Sequence, residues 1–487
     1  MRSGLHHLIS KLMLIFGLSL FLTAHAIVDN DSHEILFNPP DIKNGVILSV
    51  QDCVSLAFKN SPKIRRKKYE LDIAKNNVKL AQSRYFPVLG AGVGFQYERN
   101  SDDVYYDKKY RDLPNVSVAI SKMIWDFGRT SALIKMEKFY KIAAEYEFVD
   151  ELCHTLFDIK AKYYTTLRDA AYADIAKENV DLNKRFLNIA HGDIDKTTAK
   201  VYTKSSDAKH LDAVGNYEIA KINLANSMYI DSRIDYSIKN TPTFLNNSYD
   251  TAFKPIDMPF EDDKALDIAY KNSPDLAVLN NTKNAMEESL NYVKKAYMPE
   301  LSAGIGYGFN NTNFASNNNM TVGVNLSSSI NAMELKYSID NSKAQISIAD
   351  NEIQIFKKDL EYEILRALGN VDYYGRLVML HEQEVKNASN TLDLAFKKYK
   401  NNQLDYTALH DSIEDYIYAK EKYILNLYNY NMSLIQTEMA MHYHMVDIHH
   451  KAEHAMHHHA DELIEHLNAA LDCNKKENKK NKIRKKK

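Results

Sequence analysis

Hydrophobic and polar residues alternate over two short stretches of this 487-residue chain and recur at threes and fours over most of the rest. Along residues 89–97, Leu89, Ala91, Val93, Phe95 and Tyr97 fall on one side of an extended strand, opposite Gly90, Gly92, Gly94 and Gln96. "YFPVLGAGVGFQY" (85–97) returns as "YMPELSAGIGYGF" (297–309), where Leu301, Ala303, Ile305, Tyr307 and Phe309 oppose Ser302, Gly304, Gly306 and Gly308. A second strand follows each: Val116, Val118 and Ile120 against Ser117, Ala119 and Ser121, then Val322, Val324 and Leu326 against Gly323, Asn325 and Ser327. Each copy therefore predicts a hairpin of two strands of roughly ten residues, the length of a tilted membrane strand. The lipid-facing residues are then Leu89, Val93, Phe95, Val118, Ile120, Leu301, Ile305, Tyr307 and Val324. Tyr85, Phe86, Trp125, Phe127 and Tyr297 gather at the helix-side ends of the hairpins, as an interfacial aromatic belt would. The alternative is a pair of soluble, half-buried hairpins.

The match extends beyond the strands. "LAFKNSP" (56–62) returns as "IAYKNSP" (268–274) at the same spacing of 212 residues, and "VSVAISKMI" (116–124) returns as "VGVNLSSSI" (322–330) at 206. The chain is an internal duplication whose second hairpin loop is six residues shorter. Helical periodicity predicts a short helix over 62–85, a long one over 129–190 and a return helix over 206–238; the second half repeats them as 274–298, 337–400 and 407–447. Ile413, Ile417, Ile424 and Leu427, with Tyr416, Tyr423 and Tyr430 at intervals of seven, indicate coiled-coil packing. A helix over 129–190 is about 90 Å long, enough to reach across a periplasm and too long for a compact domain.

These elements divide the chain into a signal peptide (1–26), a first repeat (27–240, hairpin at about 87–125), a linker (241–265), a second repeat (266–447, hairpin at about 299–331) and a tail (448–487). The signal peptide rests on Arg2 and Lys11, the apolar run "LMLIFGLSLFL" and the cleavage motif "AHA" (24–26). Scarce glycine (15) and proline (10) favour long helices, and 62 basic against 64 acidic side chains give no basis for nucleic-acid binding. Nucleotide loops, nucleophile elbows and metalloprotease motifs are absent, so the sequence points away from an enzyme and from a required cofactor. Cys153 fits a buried position in a helix, and a Cys53–Cys473 bridge is one option for the other two cysteines. Residues 442–487 hold nine of the 18 histidines; His450, His454 and His458 are spaced to share one helix face and could chelate a transition metal. A solvated polar tail, or contact of its lysines with anionic lipid, explains the same composition.

In combination, the duplicated "L-A-x-x-N-S-P" opening, "Y-x-P-x-L-x-A-G-x-G", "WDFGR" (125–129) and "YKNNQLDYTALHDSIEDYIYAKEKYILNLYNYNMSLI" (399–435) resemble the TolC-type outer-membrane efflux proteins over nearly the whole mature chain. The resemblance implies an α+β membrane protein acting as a homotrimer in the Gram-negative outer membrane. Four strands per chain would close a 12-stranded barrel, and the coiled-coil helices would hang into the periplasm as an α-helical tunnel. It implies a passive conduit, serving efflux or type I secretion, that works with a periplasmic adaptor and an inner-membrane pump of the RND, ABC or MFS class. The adaptor-contact tips would carry Gly192, Ser206 and Asp207 in the first repeat and Asn402 and Leu404 in the second. At the closed entrance the family places two aspartates three residues apart; Asp411 matches the second, Ala408 occupies the first, and Asp405 is a substitute one turn away. Without the resemblance, a periplasmic coiled-coil spacer remains open.

Overall fold

The computed structural model describes residues 45–99, 110–231, 233–239, 262–312 and 315–442. The signal peptide, most of the linker, the tail with His450, His454 and His458, and Cys473 lie outside the described residues, as does the side chain of Phe95.

The chain runs as two copies of one plan. In the first, α1 (Val50–Asn60) and α2 (Pro62–Ser83) lead into strands β2 (Val88–Arg99) and β3 (Tyr110–Trp125), then α3 (Arg129–Ile189) and α4 (Gly192–Ser227). In the second, α5 (Asp262–Asn272) and α6 (Pro274–Lys294) lead into β5 (Glu300–Thr312) and β6 (Ala315–Ser327), then α7 (Ala332–Lys400) and α8 (Tyr406–Met441). The repeated Asn-Ser-Pro is the joint between the two short helices of each copy. Ser61 and Ser273 leave the helical conformation, and their Oγ atoms accept the Ile64 and Leu276 N–H groups at 3.3 and 3.2 Å. The following proline needs no N–H bond at the first helical position, so the motif ends one helix and starts the next.

With 61 and 69 residues, α3 and α7 are about 92 and 104 Å long. Their cores are stripes: Leu152, Ile159, Tyr163, Leu167 and Phe186 on α3 and Ile364, Val378 and Leu392 on α7 pack with Leu409, Ile413, Ile417 and Leu427 of α8. Lys160 of α3 bridges to the buried Glu438 of α8 at 2.6 Å, and Lys420 and Tyr416 of α8 both bond Glu178 of α3. Cys153 is buried; Cys53 is fully buried too, and burial followed by the charge of Asp52 pushes its thiol up to about 12.

The return helix of the first repeat is corrected at both ends. It begins at Gly192 rather than 206, because no glycine or proline interrupts 193–214 and nothing stops the helix there. It also ends at Ser227 rather than 238; Tyr236–Ile238 instead form β4, which pairs in parallel with β1 (Val46–Leu48). Tyr163 Oη donates to the Lys239 carbonyl at 2.8 Å and so ties this small sheet to α3, a contact invisible to periodicity. In the second repeat α8 is helical to Met441, with His442 in a left-handed conformation as its cap; 443–447 lie outside the described residues.

The four long strands form one antiparallel sheet in the order β2–β3–β5–β6, so the hairpins of the two repeats lie side by side.

Candidate functional site

Strand register is the first part of the site. Leu89 pairs with Ile120, Ile120 with Ile305 and Ile305 with Val322, making an apolar row across all four strands. The adjacent row is Gly90, Ala119, Gly306 and Thr321. Directly paired residues share a face, so the sheet has one face of branched apolar and aromatic side chains and one nearly bare. The bareness is needed locally: a Cβ at Gly306 would meet Thr321 Oγ1 at 2.9 Å. On the apolar face Leu89, Val93, Ile120, Ile305 and Val324 are exposed, Val93 to 85 %, while Val118, Leu301 and Tyr307 are half-buried. Strands β2 and β6 leave unpaired edges. Tyr85, Phe86, Trp125, Phe127 and Tyr297 are all exposed at the helix-side end, with the Trp125 and Phe127 ring centres 5.5 Å apart. Just beyond, the buried Asp126 carboxylate accepts the Gly128 and Thr130 N–H groups at 3.1 and 2.5 Å, and Arg129 pairs with Glu300 across the repeats at 2.5 Å.

The far ends of the long helices are the second part. The first turn is tight: Ala190 and His191 are extended and Gly192 has φ +74°, a left-handed position open to glycine at no steric cost. Gly192 therefore lies at the tip as expected, whereas Ser206 and Asp207 lie 14 residues up α4, about 21 Å away. Ser206 is buried, and its Oγ donates to the Thr203 carbonyl at 2.9 Å; it caps nothing. In the second turn Asn402 takes φ +56° and Leu404 is half-buried. Asp405 is the N-cap of α8, its carboxylate accepting the Ala408 N–H at 2.9 Å. Asp411 is exposed and makes no hydrogen bond or ion pair among the described residues. Asp415, one turn further on, is likewise exposed and unpaired, and sequence reasoning missed it.

An aromatic cluster that periodicity did not reveal joins the two tips. Tyr399 Oη accepts the His191 backbone N–H at 3.1 Å and donates to Asp195 at 3.0 Å. Phe186 stacks on Phe396 with ring centres 4.5 Å apart, and Tyr202 lies nearly parallel to His410 with ring centres 3.5 Å apart. Lys209 of α4 pairs with Glu414 of α8 at 2.8 Å beside them. Burial pushes the His410 imidazole below its ordinary range; Glu414 and Asp411 oppose that shift and Lys209 reinforces it. The only sequence signal for this cluster was the recurrence of aromatic residues near both turns.

No helix among the described residues is long and apolar enough to cross a membrane, and no three His, Cys, Asp or Glu side chains among them gather as a metal site. The bipolar sheet with open edges, carried on the long hairpins, narrows the architecture, and comparison decides it. Residues 53–228 match the outer membrane efflux protein family. Over that stretch, 176 of the 487 residues, the chain is similar to the outer membrane efflux proteins. The fold of the chain is that of solved outer-membrane channels. CusC is 14 % identical, with a TM-score of 0.71 over 84 % of this chain and 95 % of CusC. CmeC of Campylobacter jejuni is 14 % identical, with a TM-score of 0.68 over 80 % and 85 %. MtrE of Neisseria gonorrhoeae, solved in its open state, is 13 % identical, with a TM-score of 0.69 over 85 % and 94 %. No curated protein matches the chain by sequence. The family match and the channel fold together indicate the Gram-negative outer membrane, with the helical part in the periplasm.

Proposed function

We propose that the chain is an outer-membrane efflux protein, three copies of which close a 12-stranded barrel and a continuous helical tunnel. This tunnel passively conducts substrates from a periplasmic adaptor and an inner-membrane pump to the cell exterior. The observation that carries the proposal is the strand register: one apolar face, one bare face and two open edges. Four strands cannot close, and open edges are not tolerated in lipid, so edge β6 of one copy meets β2 of the next. The helices support the same closure. Ile348, Ile355 and Tyr362 of α7 are exposed at intervals of seven, and Ile194, Val201 and Leu211 of α4 are exposed too. Such stripes are coiled-coil seams without a partner inside the chain.

The entrance lies at the tips. Hydrogen bonds through Tyr399 hold the two hairpins of one copy together and so favour a closed end. Asp411 and Asp415, unpaired and one turn apart, would form a ring of carboxylates around the axis, which attracts cations and binds divalent cations reversibly. Single-channel recording in planar bilayers tests this, with native protein and Asp411→Ala, with and without divalent cations. Small cation-selective currents are expected, blocked from one side by divalents, with the block weakened in the variant. A folded protein that never forms channels would leave a periplasmic spacer as the answer.

A further inference from the structure

The duplication makes each repeat a control for the other, and at one place they differ sharply in charge. Around the first Asn-Ser-Pro joint, residues 59–68 hold six basic side chains (Lys59, Lys63, Arg65, Arg66, Lys67 and Lys68) and no acid. The matching residues 271–280 hold Lys271 and Asp275. Both stretches start a helix with the same serine cap and N1 proline, so the fold does not demand the charge. It is unfavourable for α2 itself. The positive end of a helix dipole favours acids in the first turn; α6 supplies Asp275 there, and α2 supplies none.

Internal ion pairs absorb only part of this charge. Lys67 is held by Glu70 and Glu147 at 2.9 and 2.8 Å, and Arg65 bonds the Asn60 carbonyl at 2.9 Å. Arg66 touches Glu70 only at 3.5 Å, with its side chain 67 % exposed. Lys59 and Lys63 are exposed and have no hydrogen bond or ion pair among the described residues. Lys59, Lys63 and Arg66 thus form a solvent-facing cationic patch where α1 meets α2.

Depth selects the partner, given the proposed membrane sheet. The 22 residues of α2 separate the patch from β2 by about 33 Å. That is about three screening lengths or more at physiological salt, so outer-membrane lipid phosphates lie out of reach. We propose that this patch docks the carboxylate-bearing peptide–glycan polymer of the cell wall, holding the tunnel where it passes through that layer. Lys59, Lys63 and Arg66 would meet the free carboxylates of the wall peptides as exposed, salt-sensitive ion pairs.

The test is co-sedimentation of the detergent-solubilised full-length protein with purified peptidoglycan sacculi over a salt series. Native protein is compared with Lys59→Gln/Lys63→Gln/Arg66→Gln, the C-terminal tail being kept in both. Removing three exposed ion pairs is expected to weaken binding about tenfold at low salt and to flatten the salt dependence. Equal binding by both proteins would overturn the proposal, as would stronger sedimentation with anionic lipid vesicles than with sacculi. Bilayer recordings on the same preparations keep the two readings apart. Channels without the difference in sacculus binding would reject the patch and leave the tunnel standing.

Discussion

Tyr399 is the residue on which most of the tip geometry converges: one hydroxyl serves the first turn twice, through His191 and Asp195. Tyr399→Phe keeps the ring and deletes both bonds, a loss of about 2 kcal/mol at roughly 1 kcal/mol each. The expected outcome is larger, more frequently open single-channel currents with little change in global thermal stability. His410 adds a pH dependence. Burial lowers its folded pKa from 6.5, so the closed tip favours the neutral ring. Its contribution is fully present above pH 6.5 and is lost as the pH falls from there through the lower folded value. Protection factors over 402–412, corrected for the base-catalysed intrinsic exchange rate, should therefore fall as the pH falls below about 6.5, and His410→Gln should remove that pH dependence.

Among the elements, the serine–proline joints set where the short helices begin, and the two copies allow an internal comparison. Ser61→Ala and Ser273→Ala each remove a cap worth about 1 kcal/mol. Hydrogen exchange should accelerate in the first turn of α2 or of α6 respectively, with the other copy unchanged. A uniform response in both copies would mean that the joints are coupled through the long helices. The long helices have no comparable stop signal within them. They end where left-handed positions are available, at Gly192 and Asn402, and a cap restarts the chain at Asp405. The placement of α4 shows why the first tip was misread. Ser206 has the residue type of an N-cap, but it is buried one helix turn after the equally buried Thr203. A capping residue marks a helix start only where the backbone before it leaves the helix.

For the whole molecule, the decisive quantity is which face of the sheet each strand residue occupies. Val93 is 85 % exposed on the apolar face. A lysine there, if the face meets hydrocarbon, costs about 2–4 kcal/mol near the bilayer centre. Val93→Lys should reduce the yield of heat-modifiable trimer in the outer-membrane fraction. Gly90→Ser, on the bare face with its nearest neighbour atom 3.9 Å from a built Cβ, should leave that yield unchanged. Equal yields would remove the membrane assignment of this face.

The sequence by itself determined the duplication, the two-faced strands and the long helices. All of these depend on local periodicity. Tertiary structure decided what depends on distant partners. The register carries one apolar row through strands from both repeats, β1 finds β4 almost 190 residues later, and Tyr399 closes the tips across more than 200 residues. Asp411 and its substitute Asp405 are both acids near a turn. Only the fold separates them, because one spends its carboxylate on the Ala408 N–H and the other keeps its own free for solvent. Periodicity reports which way a side chain points along its own element; which groups meet is set by how the elements pack.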